Sequence, residues 1–124
     1  MITIQLKEIL QIVPILQSLS QQSFIGSVSF KISRLIRELD KELALMNKAK
    51  QDIIEEYGKR DEEGKLIVTD DGQVKISDAE KCNIELQKLL DTTVEINANK
   101  LPIDIFDSIQ ISPVQANILE MIVE

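Results

Sequence analysis

The chain of 124 residues is 44% hydrophobic, enough to build a real core and, by length, one domain. It has no His, one Cys and no Trp, which removes the commonest general base and transition-metal ligand, any internal disulfide, and much of the aromatic material of tight interfaces. A net charge of −7 disfavours nucleic acid as a direct partner, because affinity for it comes largely from neutralising phosphates.

Ile2, Ile4 and Leu6 alternate with Thr3 and Gln5, which predicts a short strand. Leu6, Ile9, Leu10, Val13, Leu16 and Leu19 then take helical spacing. Pro14 allows two versions of that helix: one kinked at the proline, or one beginning near Ile12 with Pro14 in its first turn. The start Met1 to Glu8 has neither the basic opening nor the continuous apolar run of a secretion signal, and nowhere do ~18 apolar residues follow one another without interruption, so neither secretion nor membrane association is expected. A turn is expected from Ser18 through Ser23 to Ser27.

From Ser27 to Tyr57 neither Gly nor Pro occurs, and Ile32, Ile36, Leu39, Leu43, Met46, Lys50, Ile53 and Tyr57 recur at alternating steps of four and three. Leu35, Leu45, Ala49 and Ile54 widen this seam into the stripe of a long amphipathic helix. About 31 residues at 1.5 Å each give ~46 Å, against a diameter of roughly 35 Å for a compact domain of this size. The expectation is therefore a single elongated domain with the long helix projecting.

Gly58 is expected to end that helix in the left-handed conformation. Leu66-Ile67-Val68 and Val74-Lys75-Ile76 flank a turn signal at Asp71-Gly72, predicting a β-hairpin whose tip spans 59–77, with Gly72 at positive φ. Ser77 and Glu80 fit a capping box opening a shorter helix from about Asp78 to Leu90 or Thr92, antiparallel to the long one. Thr93–Asn97 and Ile103–Phe106 read as short extended pieces, one of them able to pair with residues 2–6. Ser112-Pro113 opens a last helix with an apolar face of Val114, Ile118, Met121 and Ile122. The fold class is α+β and mainly α: a long helix and a shorter antiparallel helix joined by a β-hairpin, with short terminal helices and a small strand pairing.

No catalytic, metal-binding or cofactor-binding set emerges. Asp70-Asp71-Gly72 and Asp61-Glu62-Glu63-Gly64 lack the alternating ligands and closing Glu of a calcium loop, and a hairpin turn accounts for such a sequence better. Cys82, in the pattern Ala79, Cys82, Leu86, Leu89, reads as core packing. Lys31, Arg34, Arg37 and Lys41 form a basic strip near the start of the long helix, where the helix dipole disfavours cations. It is read either as a solvated face or as a site for an acidic partner surface such as the hairpin of a neighbouring copy. Asp70, Asp71 and Gly72 are the matching candidates on the hairpin. Residues 61–99 carry ten acidic and four basic groups.

Glu56-Tyr57-Gly58-Lys59-Arg60-Asp61-Glu62-Glu63-Gly64-Lys65, the Asp71-Gly72 hairpin, Glu85 to Ile96, and Ile111-Ser112-Pro113-Val114-Gln115-Ala116-Asn117-Ile118-Leu119-Glu120-Met121 resemble small uncharacterised proteins encoded by tailed bacteriophages and prophages. The resemblance covers about two thirds of the chain. It implies a viral origin and synthesis in bacterial host cytoplasm, with incorporation in the virion left open, and it transfers no functional residues. The expected role is a non-enzymatic virion or assembly component, a homo-oligomer working through protein–protein contacts with itself or other phage proteins. Two alternatives stand beside it: an acidic inhibitor of a host or defence protein, and, by analogy of plan alone, a prefoldin-like chaperone helper.

Overall fold

The computed structural model describes residues 1–22, 24 and 26–124 of the chain. Over these residues it is an α+β protein, mainly α, with four α-helices and a two-stranded antiparallel sheet. They assemble into two compact units, residues 1–43 with 93–124, and residues 44–92. No helix among the described residues is long and apolar enough to cross a membrane.

The first unit starts from the alternation at the N-terminus. β1 (Ile2–Gln5) buries Ile2 and Ile4 and pairs antiparallel with β2 (Thr93–Ile96), Ile2 opposite Ile96 and Ile4 opposite Val94. Of the two extended candidates it is thus 93–97 that joins the sheet, whereas Ile103–Ser108 is a 3₁₀ helix. α1 (Leu6–Leu19) follows β1 without a loop and includes Pro14 in its interior, which rules out a start at Ile12. It buries Leu6, Ile9, Ile12, Val13, Leu16 and Leu19, each contributing about 1.5–3 kcal/mol when withdrawn from water. Leu10, expected on that face, is instead exposed. Of the expected turn from Ser18 to Ser27, Ser18 is still in α1 and Ser27 already in the following helix, while Ser23 and Ile25 lie outside the described residues.

α2 (Gly26–Tyr57) is a 32-residue helix, whose residues up to Leu43 belong to the first unit. There Ile32, Leu35 and Leu39 are buried, as the seam requires. α4 (Pro113–Leu119) opens on a reciprocal capping box: the Ser112 hydroxyl accepts from the Gln115 amide at 3.1 Å, and the Gln115 side chain accepts from the Ser112 amide at 3.0 Å. A 3₁₀ turn, Glu120–Ile122, continues it. The buried residues here are Leu119 and Ile122, while Val114 is 70% exposed and Met121 is also exposed. The expected apolar face is therefore turned by about one residue. Leu101 locks this end down, its amide donating to Ile122 O at 2.7 Å and its carbonyl accepting from Glu124 N at 2.9 Å.

The second unit holds the rest of α2, the connection 58–78 and α3 (Ala79–Leu90). Met46 and Cys82 are its buried apolar residues, and Leu45 is 63% exposed rather than part of the stripe. Ile54 and Gln51 of α2 line the same depression as Cys82 and Leu86 of α3. The cap of α3 is not the expected one. The Asp78 carboxylate accepts from the Lys81 amide at 3.1 Å, and Ser77 is used elsewhere.

The connection is more than a hairpin. Three short arms, 58–60, 66–68 and 74–76, pair in a circle through the bridges Arg60 to Leu66, Val68 to Val74 and Ile76 to Gly58. The middle residues close a ring of hydrogen bonds: Ile67 N donates to Lys59 O at 2.8 Å, Lys75 N to Ile67 O at 2.9 Å, and Lys59 N to Lys75 O at 2.7 Å. Two corners are tight turns, with Gly64 N donating to Asp61 O and Gly72 N to Thr69 O, and with Gly64 and Gly72 at φ of +81° and +86°. At the third corner Ser77 N donates to Tyr57 O at 2.8 Å, joining the end of α2 to the approach to α3.

Gly72 thus sits where expected, as the left-handed residue of a type I turn with a bulge. Gly58 does not, because it has no positive φ. It is small for another reason: a Cβ there would lie 2.6 Å from Leu66 Cδ2 and 2.9 Å from Val74 Cγ1. Open space surrounds a Cβ at Gly72, so Gly72→Val acts through backbone strain alone, at about 1–2 kcal/mol. A lowered melting temperature with almost unchanged far-ultraviolet circular dichroism is expected. An unchanged melting temperature would refute the strained turn.

Candidate functional site

Helical spacing puts Arg34, Arg37 and Lys41 of the predicted strip on the side of α2 away from its buried residues, with Lys31 at the edge, four residues before buried Leu35. Lys31, Arg34, Arg37 and Lys41 are all exposed. Lys41 is held by Glu38 at 2.9 Å, one turn back, an exposed pair worth at most about 1 kcal/mol. Lys31, Arg34 and Arg37 make no ion pair among the described residues. In line with them stands Phe30, 70% exposed. Steps of four, three and four carry one stripe from Phe30 through Arg34 and Arg37 to Lys41, about 16 Å along the helix.

The opposite chemistry lies elsewhere in the same unit. Ile103, Phe106, Ile111, Pro113, Leu119 and Val123 line an open groove of about 600 Å³, with Glu120 and Glu124 at its wall. Ile103 is 67% exposed at its lip, and Asp104 and Asp107 are exposed on the same 3₁₀ turn. Residues 101–124 contain four acidic side chains and no Lys or Arg. The 3₁₀ turn and the capped α4 carry the lining residues, and Leu101, Leu119 and Ile122 are buried in this part of the chain. The sequence signal was available in the run of acids without a base and in the excess of large apolar residues over what so short a helix can bury.

The predicted hairpin residues occupy one corner of the ring in the second unit. Asp70, Asp71 and Gly72 are exposed, but Asp71 is engaged: its carboxylate accepts from the Thr69 hydroxyl, which holds it below the usual carboxylate range. Thr69 also binds both backbone groups of Gln73. Asp61 has the same role at the preceding corner, its carboxylate accepting from the amides of Glu63 at 2.9 Å and Lys65 at 3.0 Å. These oxygens shape turns. Residues 59–77 hold five acids and four bases, so the ring presents little net charge.

The missed feature of this region is its period. Tyr57, Lys65 and Gln73, then Gly58, Leu66 and Val74, and likewise Asp61, Thr69 and Ser77, each recur at eight residues and take equivalent places in the ring. Ser77 completes the third set by donating its hydroxyl to Tyr57 O at 3.0 Å. The two glycines eight apart, each following a pair of acids, were the visible sign of it.

Comparison with known proteins adds no relative to this geometry: no protein-family model matches the chain, and neither a curated protein nor a solved structure matches it.

Proposed function

We propose that the protein acts through protein–protein contacts, without catalysis of its own, as a small self-associating virion or assembly component of a tailed bacteriophage. The observation that carries this reading is Phe30, exposed on the outer face of α2 beside Lys31, Arg34 and Arg37, which make no ion pair among the described residues. A large apolar side chain held in water on a rigid helix gains about 1.5–3 kcal/mol when a partner covers it. The phage setting is supported by the resemblance of the chain, from Glu56 onward, to small phage-encoded proteins. Light scattering at high micromolar concentration and mass spectrometry of purified particles test the reading together. Species larger than one chain and abundant peptides in the particles are expected. A strict monomer absent from particles would overturn it.

A second reading is favoured by the acidic groove: an inhibitor that offers carboxylates to a basic cleft of a host or defence protein. Absence from particles combined with specific, salt-sensitive binding to one host nucleic-acid enzyme would establish it in place of the first.

A further inference from the structure

We propose that the protein self-associates head to tail, the Phe30 stripe of one copy docking into the C-terminal groove of the next. This rests on the self-association proposed above and names the two surfaces that make it. Phe30 is an exposed apolar anchor, and the groove bounded by Ile103, Phe106 and Ile111 is an open, mainly apolar depression of about 600 Å³, a size within the range of pockets that bury a bound group. Around the anchor stand Lys31, Arg34, Arg37 and Lys41, while Glu120 and Glu124 line the groove and Asp104 and Asp107 are exposed on the 3₁₀ turn that carries Ile103 and Phe106. Each half has the sign and the shape that the other lacks.

The occupant is a second copy because one unit carries both halves. The ring of the second unit is the poorer mate for the basic stripe: its charges nearly cancel, and the Asp71 carboxylate is already held by Thr69. The two surfaces are different patches, so the contact is heterologous, and an assembly that has not closed on itself keeps one stripe and one groove unpaired. Growth therefore continues into rings or open chains rather than stopping at a two-fold dimer. Charge pairing at the rim makes association weaken as salt shortens the screening length from about 10 Å at 0.1 M toward 3 Å at 1 M.

The test uses two full-length variants, Phe30→Asp with Arg37→Glu on the stripe, and Ile103→Asp with Glu120→Lys in the groove. All four positions are exposed, and melting curves matching the parent identify variants that keep the fold. Sedimentation velocity should find each variant alone monomeric, because each lacks one half of the contact. An equimolar mixture should form a one-to-one dimer and nothing larger, through the intact stripe of one and the intact groove of the other. The parent chain should form larger species that shrink with salt. If the parent associates and the variants associate equally well, or if the mixture stays monomeric, the head-to-tail contact is wrong although self-association stands. If the parent is a monomer, this contact is refuted, and the particle measurement alone then decides the functional reading.

Discussion

Leu39→Ala is expected to destabilise the protein by about 2–5 kcal/mol, the range for emptying a fully buried leucine site, and to lower the melting temperature by roughly 8–20 °C for a chain of this length. Leu39 is fully buried on the seam of α2, in the unit that also buries Leu35, Ile32 and the inner face of α1. The cost has two components, lost transfer of the side chain from water and the cavity left where rigid helices cannot close the gap. Leu45→Ala, six residues on, removes a side chain that is 63% exposed and should change stability by less than about 0.5 kcal/mol. Thermal denaturation of the two variants checks the assignment of faces. Equal effects would mean that α2 buries a different stripe.

The second large effect is at Gly58, where alanine should cost about 1–3 kcal/mol by overpacking. The new Cβ falls 2.6 Å from Leu66 Cδ2, 2.9 Å from Val74 Cγ1 and 3.1 Å from Ile54 O. The backbone carbonyl cannot step aside as a side chain can. Gly58, Leu66 and Val74 open the three arms, and Leu66 and Val74 crowd the space beside Gly58, leaving room for two side chains and a hydrogen. Truncating Leu66 at the same time should restore room, so Gly58→Ala with Leu66→Ala should lose less stability than the sum of the single changes. Hydrogen exchange at the amides of Lys59, Ile67 and Lys75 reads the ring directly. Additive losses with protection at those amides unchanged would show that the two sites do not share the space.

Much of the fold was legible where one physical rule acts over enough residues. The alternation of Ile2 and Ile4 predicted the strand, the alternating steps of four and three predicted α2, and Ser112-Pro113 predicted the start of α4. The failures come where two rules compete. Gly58 looked like a left-handed helix end, but the need there was for volume. Ser77 looked like a helix cap, but ring closure takes its hydroxyl for Tyr57 O, and Asp78 caps instead. Arms of three residues are too short for alternation to show, so the first arm was invisible and the connection read as one hairpin. Ile103–Phe106 has strand-like composition but winds as a 3₁₀ helix between Leu101 and the capped α4. At the candidate site the cations were found from spacing alone. Phe30 and the groove were missed, because exposure of an apolar side chain depends on what else packs nearby.

Closure of the ring at the Tyr57 to Ser77 contact bears on the entropy of the connection between α2 and α3. The chain leaves the helical pair at Tyr57 and returns to the same point, 2.8 Å away, twenty residues later. Left slack, a connection of that length would cost about 1.4 kcal/mol more to close than a four-residue loop. The cyclic bonds of Lys59, Ile67 and Lys75 hold the excursion as a clasp. What the helices receive is its two ends, already together. A minimal turn returning to the same contact could therefore replace residues 58–76, and the clasp could be moved between two other helices joined by a short turn as a self-contained piece.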